Sequence, residues 1–106
     1  MSSNARIEQI KTFINEQPED PFLWYALATE YVSLGLDQDA LKIYLWLLEN
    51  EPEYFATYYH LGKLYERMEE DDKAEKTYQA GMKITKKQGN KHAYGELRGA
   101  FEELTF

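Results

Sequence analysis

The chain has 106 residues, with 12 basic and 19 acidic side chains, a formal net charge of −7 and no cysteine. That length suits one domain with a single core and a high share of surface. The lack of cysteine excludes a disulfide framework and any thiolate metal site, so nothing demands an oxidising compartment. The start, Met-Ser-Ser-Asn-Ala-Arg, carries no apolar stretch of the signal-peptide kind. No apolar run approaches a bilayer span: Phe22 to Ala28 is seven residues and Ile43 to Leu48 is six. A cytoplasmic location without membrane contact is the expectation.

Taken in order, the first helix is predicted over 5–16, behind a flexible tail at 1–5. Ile7, Ile10, Phe13 and Ile14 form its apolar stripe. Pro18 and Pro21 separate it from a second helix over 22–34, because proline cannot continue a helix but suits its first turn. Trp24, Leu27, Ala28 and Tyr31 fall at i, i+3, i+4 and i+7 on that helix, one continuous core stripe. Gly35 ends it where a left-handed residue is easiest. A third helix over 38–50 turns Ala40, Tyr44 and Leu47 inward. Leu45 and Trp46 then point elsewhere, with Lys42 and Glu49 on the same outer side.

Further helices are predicted over 54–69, 72–87 and 91–104. Asp37 and Asp71 sit in equivalent turns, each placed to cap the helix that follows, and Asp72-x-x-Glu75 reads as a capping box. The acidic run Glu69-Glu70-Asp71-Asp72 lacks the alternating ligand spacing and central glycine of a calcium loop, and reads as a solvated turn. The last helix carries Tyr94, Leu97, Phe101 and Leu104 as its stripe.

The chain also repeats itself at a period of 34 residues. Seven pairs are identical across 21–54 and 55–88: Tyr25/Tyr59, Leu27/Leu61, Tyr31/Tyr65, Asp37/Asp71, Ala40/Ala74, Lys42/Lys76 and Tyr44/Tyr78. Such a period marks a helical repeat whose apolar face is buried by its neighbours. Trp24-x2-Leu27-Ala28-x2-Tyr31, followed by Ala40, Tyr44 and Pro52, resembles the tetratricopeptide repeat; so does Tyr58-x2-Leu61-Gly62-x2-Tyr65 with Ala74 and Tyr78. The second copy departs at Gly81, where a larger residue is usual, and at Lys86, where proline is expected. Its last helix therefore need not stop where the first copy's does.

The resemblance implies an all-α solenoid of antiparallel helix pairs, a right-handed superhelix of about six helices, in a single domain. Its parts are a capping helix over 6–17, repeats over 21–54 and 55–88, and a C-terminal capping helix over 89–106. Alanine or glycine at positions 28 and 62 is expected because the partner helix of each pair passes close there.

Catalysis finds little to stand on. The histidines are His60 and His92 and the serines Ser2, Ser3 and Ser33, with no nucleophile–base or metal-ligand spacing and no glycine-rich phosphate loop. No enzyme, no metal and no cofactor is the expectation. Residues 1–53 hold ten acidic and three basic side chains, whereas 54–106 hold nine of each. Lys83, Lys86, Lys87 and Lys91 gather near one helix end, where they suit the helix dipole better than a phosphate backbone. Nucleic acid is not an expected partner.

The resemblance implies instead that the first helix of each repeat lines a concave groove. Carried over, its positions are Phe22, Tyr25, Ala26, Thr29, Val32 and Ser33, then Ala56, Tyr59, His60, Lys63, Glu66 and Arg67. Phe22, Tyr25, Thr29, Tyr59, His60, Lys63 and Arg67 are the candidate contacts for an extended peptide or partner helix. The alternative is that Tyr25 and Tyr59 merely cover the seam between repeats. The clamp with which some members hold chaperone C-terminal carboxylates is excluded: Tyr25, Thr29 and His60 stand at its positions, followed by Asn90 and Tyr94 or His92 and Glu96, and the cationic donors are missing. Leu45 and Trp46 form a possible second interface, unless the N-terminal helix covers them. The alternative reading is thus a structural module that self-associates there, as a monomer or weak homodimer.

Overall fold

The computed structural model describes residues 2–106, and among them lie six α-helices and no strand. They are α1 (Ser3–Glu16), α2 (Pro21–Ser33), α3 (Asp37–Asn50), α4 (Ala56–Arg67), α5 (Asp71–Lys87) and α6 (Lys91–Thr105). The helices fall into two compact units, one ending at Glu51 and one running from Pro52 to Phe106.

Where the boundaries differ from the sequence expectation, the backbone supplies the reason. Ser2 caps α1 by accepting from the Ala5 N–H, so the helix begins at Ser3 inside the expected tail; Met1 lies outside the described residues. Asp20 accepts from the Phe22 N–H and Pro21 takes the first helical position, as expected of that pair. Asp37 and Asp71 are not caps. Each is the first helical residue, behind Leu36 and Glu70, and no side-chain cap bond is made at either start. Their carboxylates act on the positive end of the helix dipole instead, together with Asp39 and Asp72. The expected capping box is displaced with them, because Asp72 is already the second residue of α5.

Three helices close on the same hydrogen-bond pair. The Leu36 N–H reaches the Tyr31 carbonyl while Gly35 reaches Val32; Glu70 reaches Tyr65 while Glu69 reaches Glu66; Asn90 reaches Thr85 while Gly89 reaches Lys86. The geometry needs a left-handed residue in the middle, supplied by Gly35 at φ 76° and Gly89 at φ 70°. At the repeat-equivalent of Gly35 the residue is Glu69, held at φ 61°. This turn ends α4 at Arg67 rather than 69. The helix also starts late, at Ala56 instead of 54, and no side chain caps its first turn. α5 runs 17 residues against 14 for α3. Pro52 follows the end of α3, whereas Lys86 lets α5 continue through the equivalent position.

In the first unit α1 packs on α2, and α2 on α3. Ile7, Ile14 and Leu27 form one buried cluster, with Ile10, Leu23, Trp24, Tyr31 and Ile43 packed around it. Ala28, Ala40, Tyr44 and Leu47 are buried as well. Two expected core residues, Trp24 and Tyr31, are only half-buried, and Phe13 leaves the α1 stripe for solvent. Trp24 stays at the margin because its indole N–H donates to the Pro18 carbonyl at 2.8 Å. Arg6 of α1 bridges to Glu30 of α2 at 2.9 Å.

In the second unit α5 packs between α4 and α6, which also touch each other. Tyr58, Leu61, Leu64, Tyr65, Ala74, Tyr78 and Leu97 are buried. A Cβ on Gly62 would lie 2.1 Å from Cε1 of Tyr78, so only glycine lets that ring lie where it does. A Cβ on Gly81 would lie 2.6 Å from Cβ of Tyr58 and 3.0 Å from Cδ1 of Leu97. This accounts for the departure at Gly81: side chains of α4 and α6 press on α5 at one point. On α6 the core stripe is Ala93, Leu97 and Ala100, while Tyr94, Phe101 and Leu104 are half-buried beside it. The stripe is rotated one residue from the expected one.

Leu61→Ala is expected to cost about 2–5 kcal/mol through its cavity, and Gly62→Ala about 1–3 kcal/mol through overpacking against Tyr78. Denaturant unfolding measures both, and an unchanged midpoint for Gly62→Ala would contradict the close approach. Glu69→Gly is expected to stabilise by up to about 1 kcal/mol, by relieving a left-handed side-chain residue. Loss of stability in that variant would contradict the assignment.

Candidate interaction surfaces

On α2, the Asp20–Pro21 start sets Phe22 in the first turn, 57% exposed, with its ring 6.4 Å from that of Tyr25. Tyr25 and Thr29 follow at half-buried positions one turn apart. The Thr29 hydroxyl donates to the Tyr25 carbonyl at 3.0 Å and lies 3.2 Å from the Tyr44 hydroxyl. With its proton so committed, Thr29 accepts from Tyr44. Burial pushes the Tyr44 phenol up to about 12, against the opposing hydrogen bond of Thr29. Burial also raises Tyr25, with Thr29 again opposing. Two phenols therefore converge on one threonine.

On α4, Tyr59, His60, Lys63 and Glu66 are half-buried and Arg67 is exposed in the last turn, where a cation suits the helix dipole. The Lys63 ammonium stands 5.6 Å from the Tyr59 ring centroid and 3.7 Å from Glu66 Oε2. Tyr59 and His60 meet edge to face at 5.5 Å. The Tyr78 hydroxyl donates to Glu66 from beneath. Burial lowers the His60 imidazole below its ordinary value, while Glu96 of α6 opposes. Burial raises Tyr78, reinforced by its bond to Glu66 and by Glu103. This face combines aromatic contact area with both signs of charge. Among the described residues no group of three or more His, Asp or Glu could hold a metal ion.

The surface residues proposed from sequence thus lie on two separate helix faces, one per unit. Glu96 and Glu103, which the groove reading left out, contribute charge to the α4 face from α6. The hydroxyl tips of Tyr44 and Tyr78, which the spacing marks only as core, also reach the two faces, Tyr44 at Thr29 on α2 and Tyr78 at Glu66 on α4. Their 34-residue recurrence was the available signal, because a buried tyrosine needs a partner for its hydroxyl.

The second candidate surface is also present. Leu45 and Trp46 are each 43% exposed, so α1 does not bury them. Trp46 leans on Trp24 with ring centroids 5.5 Å apart. The two indoles, with Lys42 and Ile43, line a cleft of about 310 Å³. Among the described residues, no helix is long and apolar enough to cross a membrane.

No protein-family model matches the chain, and no curated protein does. Solved structures do. A tetratricopeptide repeat domain protein from Salinibacter ruber, solved by solution NMR, is 41% identical over 82% of this chain and 88% of that one, with a TM-score of 0.79. A crystal structure of a Salinibacter ruber tetratricopeptide repeat domain protein gives 40% identity, coverage of 81% and 97%, and a TM-score of 0.78. The chain belongs to the tetratricopeptide repeat family. The family's fold extends to PcrH, solved in complex with the chaperone-binding region of PopD. That structure is 15% identical over 97% of this chain and 78% of the other, with a TM-score of 0.86.

In this tetratricopeptide repeat chain, His60 carries a pH signature. Its folded pKa is lowered, so the unfolded chain binds the proton more readily. The stability it contributes is present above the ordinary value of 6.5 and is lost as pH falls towards and through the lowered one. The melting temperature of the wild type should therefore fall more between about pH 7.5 and about pH 5 than that of His60→Gln. Parallel pH profiles for the two proteins would contradict a desolvated imidazole.

Proposed function

We propose that this chain is a protein-interaction module, without catalysis, that takes an extended peptide or partner helix on the groove-lining faces of α2 and α4. The observation that carries the reading is the fixing of Tyr59, Lys63 and Glu66 into one half-buried cluster through ring, charge and the Tyr78 hydroxyl. Preorganised aromatic and charged groups lose little freedom on binding. Phe22, Tyr25 and Thr29 offer the corresponding aromatic and hydroxyl contacts on α2. His60 and Arg67 extend the α4 face. The PcrH complex with the chaperone-binding region of PopD is a precedent for protein binding on this fold.

The face does not act as a carboxylate clamp. Tyr25 and Thr29 are uncharged at two of the donor positions, and burial disfavours the imidazolium of His60 at the third. The net charge of −7 favours cationic partners.

A second reading rests on the exposure of Leu45 and Trp46, which makes this chain a structural module pairing through the outer side of α3. Burying two such side chains contributes about 2–5 kcal/mol, which association costs largely offset. A monomer at low concentration with weak pairing at high concentration is the consequence.

Tyr59→Ala and Tyr25→Ala should each weaken capture of a cationic peptide by several-fold while leaving the helical circular dichroism spectrum intact. Added salt should weaken wild-type binding, whereas equal or better binding of an acidic peptide by these faces would contradict the charge argument. Sedimentation of Trp46→Lys decides the second reading, since a tight dimer abolished by that substitution would displace the adaptor reading.

A further inference from the structure

The rotation of the α6 stripe leaves a groove on the side of the second unit formed by α5 and α6. Two adjoining clefts, of about 260 and 250 Å³, share Lys86 and Tyr94. The first continues to Lys91, and the second to Met82, Lys83 and Phe101. Met82, Tyr94 and Phe101 are half-buried and supply an apolar floor, while Lys83, Lys86 and Lys91 are exposed along the rim. Tyr94 and Phe101 are seven residues apart on α6, two helical turns and about 10.5 Å along its axis. An amphipathic helix presents apolar side chains at this same interval.

The charge on this rim is unmatched. Ion pairs of the second unit are made elsewhere, among them Lys63 with Glu66, Lys73 with Glu70, His92 with Glu96 and Arg98 with Glu102. Lys83, Lys86 and Lys91 have no acidic partner among the described residues. Three cations around a hydrophobic floor, in a chain of net charge −7, are too few to bind a nucleic acid backbone. They suit glutamates flanking an apolar stripe, whose charge steers approach and whose leucines displace water from the floor.

We propose that the α5/α6 groove binds an acidic amphipathic helix of a partner protein, laid along Tyr94 and Phe101 with its carboxylates on Lys83, Lys86 and Lys91. This surface is separate from the faces of α2 and α4 and stands or falls independently of them.

The test uses the whole chain and three fluorescein-labelled probes. One is a helical peptide with leucine at the a and d heptad positions and glutamate at e and g; the second has lysine in place of glutamate; the third is an oligo-dT strand. With Tyr25→Ala and Tyr59→Ala in place to remove cationic capture by the α2 and α4 faces, fluorescence anisotropy is expected to show a preference for the glutamate peptide. Lys83→Glu combined with Lys86→Glu, at exposed positions that leave the core intact, should weaken that binding about tenfold and reverse the preference towards the lysine peptide. Tyr94→Ala should weaken both peptides, with circular dichroism confirming that each variant is folded. Binding insensitive to the charge reversal, preference for oligo-dT, or no binding of the glutamate peptide would overturn the proposal. So would self-association of the wild type abolished by the charge reversal, which would seat a second copy in the groove.

Discussion

The Tyr78 ring occupies the space that a Cβ at Gly62 would fill, and its hydroxyl donates to Glu66 one turn further along the same face of α4. One side chain thus sets the separation of two helices and fixes the orientation of a carboxylate. Its counterpart one period earlier, Tyr44, is equally buried and ends against Thr29 of α2. Burial and the hydrogen bond serve different ends. The ring contributes apolar area to the core, while the hydroxyl is kept from being an unsatisfied buried polar group. The repeat therefore specifies both a core and the footing of a surface, through the same residue.

This coupling explains why the candidate faces are half-buried rather than fully solvated. Thr29 and Glu66 are held from below by tyrosine, and Lys63 is held from the side by Glu66 and by the ring of Tyr59. Exposed salt bridges contribute little to stability when isolated. Here the pair matters because it restricts where Lys63 and Glu66 can be, which lowers the ordering cost when a ligand arrives. The surfaces at Leu45/Trp46 and at the α5/α6 groove have a different character. They expose apolar side chains with less local polar bracing.

Much of this was legible in the chain. Periodicity placed all six helices, and the 34-residue identities singled out Leu61, Tyr44 and Tyr78 as core, because buried positions constrain size and shape most strongly. The outward direction of Leu45 and Trp46 followed from helical geometry alone. Asp37 and Asp71 read as caps yet are the first helical residues, since an acidic side chain stabilises both the cap and the first turn and the sequence does not separate the two. Trp24 and Tyr31 looked like core by spacing yet sit at its margin, where a hydrogen bond from the Trp24 indole to Pro18 holds the ring at the edge. The role of Gly81 was illegible because it depends on Tyr58 and Leu97, residues distant in sequence that meet only in the fold. The same holds for Glu96 and Glu103, whose contribution to the α4 face requires the packing of α6.

The central claim is that the α2 and α4 faces, with their tyrosine-braced side chains, are where a partner binds. Its most direct test is a ¹H–¹⁵N NMR titration of the whole chain with an extended cationic peptide. The account predicts salt-sensitive shifts centred on the amides of Phe22, Tyr25 and Thr29 and of Tyr59, His60, Lys63 and Arg67, with the α3 amides around Trp46 unmoved. Shifts confined to α3, or saturable binding that leaves both α2 and α4 unperturbed, would contradict it.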